Sequence, residues 1–155
     1  MIQPVHRLAR RFLAGTTLVA IALAATLAMT TAPAAAHSKL NPQPSCGAGE
    51  LPHFDVFSGQ VSVFVYYSSA NGGTNCAWAQ KNVNRTTAEP LGIALYRCAT
   101  GNPNAACNPT AVDTDSGNFQ YYAGPVRVTG TAGGCILIQV IYRSSRAEIG
   151  PVYCS

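Results

Sequence analysis

Charge is what this sequence has least of. Only 10% of its 155 residues are Asp, Glu, Lys or Arg, and it holds three histidines, two methionines and one tryptophan. Beyond the first eleven residues there is no basic tract or stripe, which leaves nucleic-acid and polybasic membrane binding without support. No window past residue 36 shows an apolar period of 3.6, so a helical domain is excluded as well. C-x-x-C is missing, which argues against zinc, and G-x-S-x-G is missing, which removes the common hydrolase elbow.

The one long apolar run is at the start. Met1–Arg11 carries Arg7, Arg10 and Arg11 without an acid, and Phe12–Met29 is apolar apart from Thr16, Thr17 and Thr26. Thr30–Ala36 then reads TTAPAAA, placing Ala34 and Ala36 in an A-x-A pattern, so residues 1–36 read as a secretory signal peptide. The rival reading is a membrane anchor. The small-residue site and the lack of a basic stop-transfer flank oppose it, and no later stretch is long and apolar enough to span. Cleavage after Ala36 leaves 119 residues, one domain's worth, with seven basic residues against six acids. The expected product is secreted and close to neutral.

All six cysteines (46, 76, 98, 107, 135 and 154) follow the leader, and an even set in an exported chain reads as three disulfides. Residues 37–45 (HSKLNPQPS) form a flexible lead-in, and 46–155 form the domain. A short strand is expected around His53–Phe57. Val61–Tyr67 follows, with Val61, Val63, Val65 and Tyr67 on one face and Phe64 and Tyr66 on the other. Cys76–Asn82 returns after an Asn-Gly-Gly loop, then Leu91–Cys98 puts Leu91, Ile93 and Leu95 on one face.

Asp113–Asn118 reads as a turn cluster. Phe119–Tyr122 and Val126–Thr129 read as strand, interrupted at Ala123-Gly124-Pro125. Cys135–Tyr142 is apolar on both faces, as a central or covered strand is, and Glu148–Cys154 closes the chain. Short strands with turns between them predict an all-β, disulfide-bonded antiparallel β-sandwich. Strand ends then pair Cys46 with Cys76, Cys98 with Cys107 and Cys135 with Cys154.

Chemistry-bearing clusters are few. Asp113 and Asp115 hint at a calcium loop, but the twelfth position of such a loop needs a Glu and is Gly124, so an Asx turn is the better reading. His37 would head the mature chain, where copper chelation needs His53 to complete it; a disordered terminus is favoured. His53 and Asp55 read as a surface pair, and Glu50, Glu89 and Glu148 fall in loops. No catalytic, metal or cofactor site is assigned. The tyrosines are many for so uncharged a chain and serve mainly as packing. Counting back from Val126 and Val128, Tyr122 falls inward, while Tyr121 and Arg127 fall outward as possible surface contacts.

Ser62–Tyr67, a Ser/Asn/Gly loop, Asn75-Cys76, then Thr114-Asp-Ser-Gly-Asn-Phe-x-Tyr-Tyr-Ala-Gly-Pro-Val126 and a Gly-ended turn into Cys135 resemble the spore-associated protein A family of Streptomyces. The chain differs in reading Cys135-Ile-Leu-Ile-Gln where that family has Trp-Gly-Gly, and in its extra pair Cys98 and Cys107. The resemblance implies a small secreted protein found with hyphae and spores, without a defined activity. The expectation is therefore a secreted, non-enzymatic protein of the cell envelope or spore surface, its partner a spore or cell-wall polymer. The alternative is a carbohydrate- or peptidoglycan-binding module.

Overall fold

The computed structural model describes residues 46, 47 and 49–154. The leader, the lead-in and His37 lie outside the described residues. Nine strands follow one another: β1 (Gly49–Glu50), β2 (Phe54–Val56), β3 (Val61–Ser68), β4 (Thr74–Lys81), β5 (Glu89–Cys98), β6 (Pro109–Phe119), β7 (Tyr122–Thr129), β8 (Ile136–Tyr142) and β9 (Ser145–Val152). They form two antiparallel sheets. The first runs β1-β3-β4-β7, with β2 also on β3, and the second runs β6-β5-β8-β9. There is no helix among the described residues, so none crosses a membrane.

Alternation decides what lies between the sheets. Val61, Val63 and Val65 of β3, Ala77 and Ala79 of β4, and Ala123, Val126 and Val128 of β7 meet Leu91, Ile93 and Leu95 of β5 and Ile136, Ile138 and Val140 of β8. Burying each larger aliphatic side chain there stabilises by about 1.5–3 kcal/mol. β8 is indeed central, between β5 and β9. Its outward Leu137 is covered by the cluster around Cys98 and Cys135, while Ile141 is 44% exposed.

Three disulfides join Cys46 to Cys76, Cys98 to Cys107 and Cys135 to Cys154, with Cα–Cα distances of 5.5, 5.0 and 4.0 Å. They sit in two clusters outside the main core.

Three expectations need correcting. Asp113–Asn118 is no turn; it lies inside the eleven-residue β6, paired with β5 from Phe119 back to Pro109. The turn is displaced to Gln120 and Tyr121, where the chain leaves one sheet for the other. Glu50, Glu89 and Glu148 are not in loops; they lie in β1, β5 and β9.

Tyr122 is buried, at 6% exposed, but not in the core predicted for it. The β4–β7 register shifts so that Ala77 faces Val126 while Ala79 faces Ala123. Gly124 and Pro125 are thus taken up as a bulge, which reverses the parity and puts Ala123 inward. Gly124 has a φ of +98°, and a Cβ there would lie 3.0 Å from the Ala77 carbonyl oxygen, so only glycine fits.

Candidate functional site

The outer face of the β3–β4–β7 sheet carries the aromatic row. Phe64 and Trp78, cross-strand partners, stack at 4.3 Å; His53 stacks on Phe64 at 5.5 Å; and Tyr122 meets Trp78 edge-on at 6.2 Å. Trp78 and Tyr122 are buried beneath this row rather than forming an open platform, with His53 half exposed at its rim. Trp78 is only 3% exposed. Tyr121 packs against the same cluster, half-buried, with the Arg85 guanidinium 5.9 Å from its ring centroid. Arg127, opposite Cys76, is exposed. The two residues marked as surface contacts are therefore separated by the bulge and do not form one patch.

The Asp113 and Asp115 carboxylates are engaged by backbone amides of β7. The Asp113 carboxylate accepts from Arg127 N at 2.8 Å and Asp115 accepts from Gly124 N at 2.7 Å. β6 thus covers the open edge of β7 with side chains, which blunts an otherwise free edge. His53 and Asp55 lie 3.9 Å apart, both about half exposed, and Asp55 Oδ1 accepts from Ser62 Oγ at 2.6 Å. The carboxylate is in the middle, so no imidazole reaches the hydroxyl, and the order is wrong for nucleophile activation.

One end of the sandwich is closed by charge. Lys81, fully buried at the end of β4, donates from Nζ to the carbonyls of Asn84 (2.9 Å) and Thr87 (2.7 Å) and to Glu89 Oε2 at 3.0 Å. Glu89 also accepts from the Tyr142 hydroxyl at 2.7 Å and from two nitrogens of Arg143, at 2.7 and 3.1 Å. These bonds, from Tyr142 first, then Arg143 and Lys81, hold the Glu89 carboxyl at a pKa of about 2. Burial, then the Glu89 bond, pushes the Tyr142 hydroxyl up. Every donor of the buried ammonium is used, so this cluster fastens β4 to β5 and β8 and holds the 82–88 loop.

The outer face of the β6–β5–β8–β9 sheet is different. Cavities of about 300 and 270 Å³ adjoin there and share Gly92, Ser116 and Ile141. Register explains the shape. Gly92 and Ala94 of β5 leave a low floor, with Ser116 and Thr114 of β6 along one side and Ile141 and Gln139 of β8 along the other. The walls stand two strand spacings apart, about 9–10 Å.

Tyr96 closes one end of this trough, its hydroxyl donating to Gln139 Oε1 at 3.0 Å. Arg146 donates to the same oxygen, and Gln139 Nε2 donates to Glu148 Oε2 at 3.0 Å. An apolar floor and flank thus run beside a chain of planar polar groups. Sequence reading did not find this site, because its residues are spread over four strands; the small pair Gly92-x-Ala94 in a core strand was the only local sign.

The fold and these faces define a disulfide-bonded antiparallel sandwich with an open lateral trough. Comparison with family models, curated proteins and solved structures finds no match to this chain, so the likeness to the spore-associated family rests on the segments quoted above.

Proposed function

We propose that this is an exported, non-enzymatic protein of the cell envelope or spore surface that acts by holding an extended glycan in the trough over Gly92 and Ala94. The observation that carries the proposal is the continuity of the two cavities across Gly92. A trough open along a sheet face suits a polymer better than a small molecule, which binds in enclosed pockets. A sugar offers an apolar C–H face to Ala94, Ile141 and Tyr96, and hydroxyls to the amide, guanidinium and carboxylate of Gln139, Arg146 and Glu148. Export is supported by the leader and by three disulfides, which persist in oxidising compartments. The spore-surface setting is supported by the family resemblance.

The test is a pull-down of the oxidised protein on cell-wall sacculi, chitin and spores. Retention on a glycan solid, competed by soluble fragments and little weakened by salt, is expected for so neutral a chain. No retention on any solid, or full release by salt alone, overturns the proposal.

A further inference from the structure

The far end of the sandwich contrasts with the one closed by Lys81. There Leu51, Tyr67 and Asn75, together with Tyr153 and Cys154 from the segment after β9, line a cavity of about 260 Å³. Its lining is two phenol rings, an aliphatic side chain, a disulfide and one amide, with no charged side chain. Asn75 lies at the opposite end of β4 from Lys81, paired with Tyr67 and Val128, and is 1% exposed. Its Nδ2 finds no hydrogen-bond partner among the described residues.

A buried amide donor left unpaired is costly and rare, and a leucine of similar size would avoid the cost. Lys81, at the other end of the same strand, has all three of its donors satisfied. We propose that this cavity is a second binding site, separate from the trough, for a neutral acetamido group such as that of an N-acetylated sugar. The carbonyl oxygen of the group accepts from Asn75 Nδ2, and its methyl packs against Leu51 and the rings of Tyr67 and Tyr153. An anion or cation finds no counter-charge in the lining. At about 260 Å³ the cavity lies just below the roughly 300–1,000 Å³ of drug-sized pockets, which suits a small substituent. Nδ2 is enclosed in the unliganded protein, so binding turns the amide about its last torsion to face the acceptor.

The site is tested with ¹⁵N-labelled oxidised protein, following the Asn75 side-chain amide by NMR, its signal assigned by its loss in Asn75→Leu. N-acetylglucosamine should shift that amide saturably, with a response at least about tenfold weaker to glucose and glucosamine. Leu51→Trp, which fills the cavity and leaves Asn75 in place, should abolish the shift even if Asn75→Leu does not fold. Equal response to glucose, or an amide that responds to none of the three, overturns the assignment; the cavity then holds only water. The trough is read separately by polymer retention, so either site can fail without the other.

Discussion

Tyr121 and Tyr122 are neighbours with different surroundings. Tyr122 packs edge-on against Trp78 and is buried, so Tyr122→Ala should cost about 3–5 kcal/mol. Tyr121 is half-buried at the corner, and Tyr121→Ala should cost about 1 kcal/mol, the scale of one exposed cation–π contact. Urea midpoints of the two variants check both values. The burial of Tyr122 was legible, but its face was not. Parity counting assumes an unbroken strand, and the Gly124-Pro125 bulge adds a residue that shifts every side chain before it.

Glu89 gives a second test at this scale. Its folded pKa, about 2, is below the ordinary value of 4.5. A depressed carboxyl contributes stability that is fully present above pH 4.5 and is lost as pH falls from there towards 2. Glu89→Gln should therefore lower stability at pH 7, stranding the buried Lys81 charge, and flatten the acid limb between pH 4.5 and 2. Thermal melts across that range should show the two proteins converging; parallel acid limbs would refute the role given to Glu89.

At the scale of elements, β6 was the part read wrongly. The strands with alternating valines, leucines and isoleucines were legible, because each has one face in the core. Asp113–Asn118 has no such alternation, and its composition is that of a turn. Its strand conformation comes from pairing with β5, and its aspartates serve the β7 backbone, a contact between residues nine and fourteen positions apart. Asp113→Ala with Asp115→Ala leaves the Arg127 and Gly124 amides without these acceptors. The double variant should lose about 1–3 kcal/mol per amide, less where water reaches it. Hydrogen exchange should quicken at those two amides and leave the β3–β4 ladder unchanged.

For the whole molecule, the disulfides close loops with sequence separations of 30, 9 and 19. Loop-closure entropy assigns about 2.5–4 kcal/mol to each, a large share of the stability of a domain this size. The reduced protein should melt far below the oxidised one or fail to fold, and equal melting temperatures would make the bridges incidental. The sandwich architecture was legible in strand spacing and turn chemistry. Both candidate sites were not, because the trough and the acetamido cavity exist only once registers bring distant residues side by side.

The glycan-binding claim is tested most directly by filling the trough without disturbing the core. Ala94 lies on its floor between Thr114 and Gln139, facing outward, so Ala94→Gln adds a side chain where the polymer is placed. The measurement is retention of the oxidised variant on cell-wall sacculi beside the unaltered protein, with melting temperatures to confirm equal folding. The variant should melt with the parent and be retained at least about tenfold less. Equal retention of a folded Ala94→Gln protein would contradict it.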